Sequence, residues 1–468
     1  MSNTLFNEFS PVTSKQWKQK IQFDLQGADY NNALIWKTNE DISVKPFYHA
    51  EDFDALPEIS QTKATKWRIC QTIYVANVEK CNKIAIKAIE NGVESLKFII
   101  PNTSVSIEGL LKNIDTTATE IHFDFQFLSE EYIKKNTVIP ANPDNNREGI
   151  HIHTDIIGNL AKSGNWFNNL NDDFNQFESI VKATHTFSVD ASLYQNAGAN
   201  MVQQLAYTLA HANEYLNHIN NSPSLRVIFE DNSIEKLKVM FNVAIGSNYF
   251  FEIAKLRALR ILWQTLASEY GFNTTCHIFA SLTKRNKTLY DYNTNMLRTT
   301  SECMSAILGG SDTVCNMAYD AVFRKANTFG TRIARNQLLI LKHESYFNAV
   351  NNPADGAYYI ESLTDQLAEK ALGLFKDIET NGGFLKQLKE GTIQRKIKES
   401  AEKEQHQFDT DSIVLVGTNK HANQNNKIKD ALELYPFVKT NPRKTLIEPI
   451  IEKRLSETLE QKRLKNEA

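Results

Sequence analysis

Residue types suited to metal chemistry alternate along His151-Ile152-His153-Thr154-Asp155. In an extended strand, side chains two apart share a face, so His151, His153 and Asp155 could converge on one cation through imidazole and carboxylate donors. No further ligand spacing accompanies them, and the plainer reading is a strand edge or loop near the surface. Arg257 and Arg260 stand three apart on one predicted helix face, where pairing with Glu252 or Glu269 is favoured over a ligand contact. Lys284-Arg285-Asn286-Lys287 is a short basic cluster and reads as a solvated loop. The chain contains no Gly-x-Gly, which excludes a dinucleotide fingerprint, and no Walker A loop.

With 468 residues the chain can bury a large core, and 41% hydrophobic with 23% charged residues is ordinary for a globular protein. A net charge of -3 without long Lys and Arg runs argues against nucleic acid as a partner. Five cysteines, Cys70, Cys81, Cys276, Cys303 and Cys315, lack CxxC spacing and suit reduced thiols. The start lacks a basic region followed by an apolar one, and no apolar run approaches the roughly 18 residues of a membrane helix. Cytoplasmic residence without a membrane partner is the expectation.

Residues 1–60 read as an N-terminal arm whose apolar stripe needs a partner surface. Trp17, Ile21 and Leu25 recur every four residues on a helix from Ser14 to Gly27, before an irregular stretch with Pro46 and Pro57. From 61 to 400, β-rich runs alternate with helical ones, as in parallel strands joined by helical crossovers. Candidate strands are Ile69 to Val75, Ser95 to Ile100, Glu120 to Phe125, Thr184 to Val189, Leu225 to Phe229, Val239 to Ala244, Cys276 to Phe279 and Asp312 to Cys315. Their number is near that of a closed barrel, although a doubly wound sheet shows the same alternation. A helix from about Ala199 to Ile219 carries an apolar stripe through Leu205, Leu209, Ala212 and Leu216. The pairs Gly309-Gly310 and Gly382-Gly383 read as helix stops. Residues 401–468 form a C-terminal extension with a possible last strand, Ile413 to Gly417, and a charged helix from Glu448 to Asn466.

Several segments carry a resemblance. Phe187-Ser188-Val189-Asp190-Ala191-Ser192-Leu193-Tyr194-Gln195-Asn196-Ala197-Gly198-Ala199 is similar to a strand of the methylmalonyl-CoA mutase family that reads Ser-Gly-Tyr-His-Met-Gln-Glu-Ala-Gly-Ala in catalytic subunits. The stretch from Phe251 to Trp263 resembles that family's Glu-Ile-Ala-Lys-x-Arg-Ala-x-Arg-x-Leu-Trp helix. Tyr292 to Met304, Arg332 to Gln337, and Asn352 to Thr364 follow in the family's order. The opening, with Gly27-Ala28-Asp29-Tyr30, Leu34-x-Trp36-x-Thr38 and Val44-Lys45-Pro46-x-Tyr48, resembles the small subunit of the heterodimeric enzyme.

The resemblance implies an α/β fold, a (β/α)8 TIM-like barrel with an N-terminal helical arm and a short C-terminal extension. It places Leu193 where catalytic subunits carry a substrate-contacting His, Val314 at a second His position and Thr72 at an aromatic Tyr. An isobutyl group cannot donate to a thioester carbonyl or shuttle a proton, and a threonine offers no aromatic face. The family's cobalamin domain carries Asp-x-His-x-x-Gly; none of the eleven histidines here, His343, His406 and His421 included, has Asp two positions earlier. The chain ends about where that domain would begin. The expectation is therefore a non-catalytic small subunit with a degenerate site, no catalytic, cofactor-binding or metal-ligating residue of its own, and apolar fillers at Leu193 and Val314 closing the barrel. Adenosylcobalamin is expected on a large catalytic partner subunit, in a heterodimer interconverting methylmalonyl-CoA and succinyl-CoA, and the substitutions argue against CoA-ester binding by this chain. The alternatives are the acyl-CoA half of a split cobalamin-dependent mutase, which would need the missing His and Tyr, and a free-standing CoA-binding regulator, which leaves the arm unexplained.

Overall fold

Alternation along neighbouring segments decides which side of the sheet meets helices. Leu96, Phe98 and Ile100, then Ile121, Phe123 and Phe125, then Ile152 are buried apolar residues two apart in their strands. The register aligns Leu96 with Ile121, Phe98 with Phe123, and Phe123 with Ile152, so one face is continuously oily and requires a helical cover. This computed structural model describes residues 8–55, 60, 62–137, 149–230, 237–272, 275–439 and 442–467; Pro57 lies outside them.

Eight strands form one parallel sheet: β1 (Arg68–Tyr74), β2 (Ser95–Ile100), β3 (Glu120–Phe125), β4 (Ile150–His153), β5 (Thr186–Asp190), β6 (Lys238–Ile245), β7 (Cys276–Leu282) and β8 (Thr313–Cys315). Their order, β4-β3-β2-β1-β8-β7-β6-β5, with helices around the outside, is that of a nearly closed (β/α)8 barrel. The ends of that order, β4 and β5, share no hydrogen-bonded ladder. Their seam is bridged instead by Asp155, just past β4, whose Oδ2 accepts the Asp190 N–H at 2.7 Å.

Most expected elements are present, and the departures have local causes. Leu225 to Phe229 is not a strand but part of the helix Pro223–Glu230, because proline at a first helical position sacrifices no hydrogen bond and presets the backbone angle. Ile413 to Gly417 is not a strand either: Gly417 turns the chain at φ +80°, leaving a single bridge between Val416 and Lys420. The last helix covers only Glu457–Asn466. Upstream of it the backbone is used elsewhere, with Ile450 N–H donating to Ala161 O, Lys453 N–H to Asn196 O and Leu455 N–H to Arg285 O. These residues form a strap across the loops that follow β5 and β7, and cannot close helical bonds at the same time.

The arm divides in two. The Ser14–Asp24 helix is capped by Thr13 and contains no buried residue; Trp17 is 51% and Phe23 79% exposed. Beyond it the arm lies on the barrel, with Trp36 against Phe251, Tyr48 against Tyr359 and Phe53 against Tyr358 at ring separations of 5.4–5.7 Å. The extension packs back through two small cores, one holding Tyr290, Phe323 and Phe437 and the other Phe408, Leu415 and Leu455.

Candidate functional site

With the oily face turned outward, the pleat sends the intervening residues into the bore, and these are mostly polar. The register puts Lys97, His122 and His151 side by side on β2, β3 and β4, and Asp124 beside His153. From the far side β7 contributes His277 and Phe279, and β8 contributes Thr313. In the strand order β3 and β7 stand four places apart, so they face each other across the axis. Their side chains meet there. His122 lies 5.6 Å from His277 and 4.8 Å from Phe279 between ring centroids, His151 lies 4.5 Å from His277, and His153 lies 5.4 Å from Phe279. The bore is closed by these cross-axis contacts.

At the N-terminal end of the strands Glu120 is the centre of the polar network. Its Oε1 lies 2.6 Å from His151 Nε2, 3.4 Å from His122 Nε2 and 3.6 Å from His277 Nε2. Its Oε2 faces Arg68 Nε at 3.1 Å and accepts from Thr313 Oγ1 at 3.3 Å. Burial alone would raise the Glu120 pKa, but the His122 and His151 imidazoles facing its carboxylate override it and hold the carboxyl well below the usual range. Burial pushes His122 down to about 3 and His277 down to about 4, so both rings are neutral at physiological pH.

Nearer the C-terminal end, Lys97 Nζ pairs with Asp124 at 2.9 Å. Burial opposes the Lys97 charge, yet the attraction of Asp124 prevails and raises its pKa. Thr72 Oγ1 lies 3.1 Å from Cys315 Sγ at the mouth, where Tyr74 is 59% exposed. The Cys315 thiol is shifted down chiefly by its hydrogen bond with Cys70, whose own thiol burial pushes up.

The structure redistributes the residues singled out in the sequence. His151 and His153 are not at a surface edge; they are 8% and 9% exposed inside the bore, because β4 is covered on both faces. Asp155 does not join them. Its Oδ1 accepts from His211 Nε2 at 2.9 Å, Tyr215 OH at 2.7 Å and Gly158 N–H at 2.7 Å, on the outer side of the seam. Val314 does not fill the bore: it pairs with Ile69 and Ala280 on the outward face and is fully buried against the helices. Leu193 sits in the one-turn helix Ser192–Asn196, 2% exposed and part of the main apolar core.

The basic cluster is not a solvated loop. Arg285 and Lys287 are 6% and 1% exposed, Arg285 bonded to Glu404 and Lys287 to Glu302 at 2.7 Å. Arg257 and Arg260 are structural, as expected, but through other partners: Arg257 pairs with Glu361 at 2.7 Å and Arg260 with Asp312 at 2.8 Å. Glu120, His122 and His277 were missed in the sequence reading. Ligand types at inward positions of three predicted strands were the available signal, and strand order alone made them neighbours.

A parallel α/β barrel with a closed bore and two interlocked segments defines the class of protein. Gln195, from the Gln-x-Ala-Gly-Ala segment, donates to Glu252 at 3.0 Å and accepts from Lys255 at 3.0 Å, both from the Glu-Ile-Ala-Lys helix. This chain belongs to the methylmalonyl-CoA mutase family, whose description matches residues 150–465. It is 33% identical to the methylmalonyl-CoA mutase small subunit of Porphyromonas gingivalis, over 90% of this chain and 71% of that one. It is 26% identical to the small subunit of Streptomyces virginiae, over 83% and 67%, and 30% identical to the methylmalonyl-CoA mutase of Cereibacter sphaeroides, over 86% and 64%. The chain thus spans 64–71% of the length of these relatives.

Proposed function

We propose that this chain is the small, non-catalytic subunit of an adenosylcobalamin-dependent methylmalonyl-CoA mutase, the structural partner of a large subunit that interconverts methylmalonyl-CoA and succinyl-CoA. The observation that carries the reading is the closed bore: rings from β3 and β4 touch rings from β7 across the axis, leaving no lane for a thioester chain. The residues present do not fit cobalamin. The mouth offers Thr72 in place of an aromatic platform, and the barrel histidines His122, His151, His153 and His277 all lie inside the bore. Cobalamin belongs on the partner in this reading, and the complex is a heterodimer.

The arm supports an assembly role. A helix that buries none of its residues, yet carries Trp17 and Phe23 outward, gains its apolar contacts from a second chain. Cytoplasmic residence is consistent with five unpaired, buried cysteines and with the absence, among the described residues, of a helix long and apolar enough to cross a membrane.

The test mixes the purified chain with a full-length large mutase subunit and weighs the product by native mass spectrometry. A one-to-one complex is expected, with mutase turnover that the chain alone lacks even with added cobalamin. Trp17→Ala should weaken the complex by about 2 kcal/mol, roughly thirtyfold, while changing the isolated chain's stability by less than about 0.5 kcal/mol. Turnover by the isolated chain, or saturable acyl-CoA binding in its bore, would overturn the reading.

A further inference from the structure

Four ligand atoms converge where no assigned activity uses them. Glu120 Oε1 and the ring nitrogens of His122, His151 and His277 all lie within 4.8 Å of one another at the N-terminal end of the barrel. Bonds of 2.0–2.1 Å in a tetrahedral zinc site put neighbouring donors about 3.3 Å apart, so a modest contraction would seat a cation among them.

The decisive atom is His122 Nε2. It is fully buried, misaligned for a hydrogen bond with Glu120 at 3.4 Å, and has no other partner among the described residues. Its other nitrogen, Nδ1, lies 3.1 Å from His153 Nε2. When Nδ1–H donates to His153, the Nε2 lone pair is bare and directed into the cluster, the tautomer a metal requires. Leaving a polar atom uncompensated in a dry core is costly unless something binds it. Glu120 is held in the same way: Arg68 and Thr313 occupy Oε2, which leaves Oε1 for the cluster.

We propose that Glu120, His122, His151 and His277 form a structural site for a divalent transition metal of the zinc type. Three imidazoles and one carboxylate suit zinc or cobalt and exclude magnesium and calcium, which take oxygen donors. Four protein ligands close the coordination sphere, which defines a structural site and not a catalytic one. The position agrees, because catalysis in such barrels occupies the opposite, C-terminal face. The ion would tie β3 and β4 to β7 across the bore. The Arg68 guanidinium opposes the ion's charge, but it lies on the Oε2 side and its side chain is 45% exposed, free to turn to solvent.

The test uses the full chain stripped with chelator and titrated with Co2+ alone, followed by its visible ligand-field absorption and by Zn2+ displacement. One equivalent per chain with tetrahedral bands is expected, together with a higher melting temperature in Zn2+. His277→Asn and Glu120→Gln, each checked for folding by circular dichroism, should weaken binding by at least about 100-fold. His153→Gln should keep one-to-one binding but weaken it about 10- to 100-fold through loss of ligand orientation. Absence of saturable Co2+ binding by the wild-type chain overturns the proposal. So does unchanged affinity in a folded His277→Asn or Glu120→Gln chain.

Discussion

Asp155 closes the barrel where hydrogen-bonded strand pairing does not, and its removal has a calculable effect. Its carboxylate accepts four bonds of 2.7–2.9 Å, from Asp190 N–H across the seam, Gly158 N–H, Tyr215 OH and His211 Nε2. Asparagine offers one acceptor oxygen, and its NH2 would face donors. At least two charge-assisted bonds are lost, each about 1.5–3 kcal/mol, and with the neighbours left unpaired the cost of Asp155→Asn is about 4 kcal/mol. Unfolding entropy of roughly 2 cal/mol/K per residue sums to about 1 kcal/mol/K for a chain this long, so the melting temperature should fall by about 4 °C. Calorimetry reads this total. Hydrogen exchange reads its place, because the Asp190 amide and the β4 and β5 edges should lose protection before the rest of the sheet.

The pH dependence has a definite sign. Burial would raise the Asp155 pKa, but His211 and the hydrogen bonds hold it below its ordinary 3.8. A depressed carboxyl stabilises the fold above its unfolded pKa and loses that contribution as pH falls through the folded value. The gap between wild type and Asp155→Asn should therefore be full at pH 7 and shrink below about pH 4. A melting temperature within 1 °C of wild type (about 1 kcal/mol) at pH 7, or unaltered exchange at Asp190, would refute the account of the seam.

Two further outcomes follow from buried charge. Lys287 and Glu302 pair at 2.7 Å with side chains 2% and 0% exposed, and burial moves each pKa toward its neutral form. Glu302→Gln should cost about 3–5 kcal/mol in urea unfolding, whereas the double change of Lys287 and Glu302 to methionine should be close to neutral; equal costs for both would contradict the pairing. Glu379 is pushed up to about 7 by burial and by Glu214, from an ordinary 4.5. The native state holds an extra proton between these values, so its stabilising share is full at low pH and is lost as pH rises through 7. Glu379→Gln should stabilise the chain by about 1 kcal/mol at pH 8, after discounting for screening of a half-exposed group, and by nothing near pH 4; urea midpoints at the two pH values decide it.

The strands were legible because their outer face is written in period-two apolar runs such as Leu96, Phe98 and Ile100, whereas their closure into a barrel, which a doubly wound sheet would mimic in pattern, was legible only through the family resemblance. The strand at Leu225 misled because five apolar-rich residues suit either a strand or a buried helix, and Pro223 settled the matter. The site was less legible. The pleat phase of β8 decided that Val314 points outward while Thr313 and Cys315 point inward, and a one-residue difference in phase reverses that assignment. The Glu120, His122 and His277 grouping depends on β3 and β7 standing opposite one another, a property of closure that neither segment carries alone. Arg285 and Lys287 resembled a surface cluster because their acidic partners, Glu404 and Glu302, lie 119 and 15 residues away.

The strap across the loops after β5 and β7 has a consequence for biosynthesis. Asn196 and Arg285 receive their backbone partners from Lys453 and Leu455, more than 160 positions downstream of either. A nascent chain lacks those partners until residues 453–455 have left the ribosome. The last barrel strand, Thr313–Cys315, emerges long before them, so the mouth stays frayed until the strap follows and locks it.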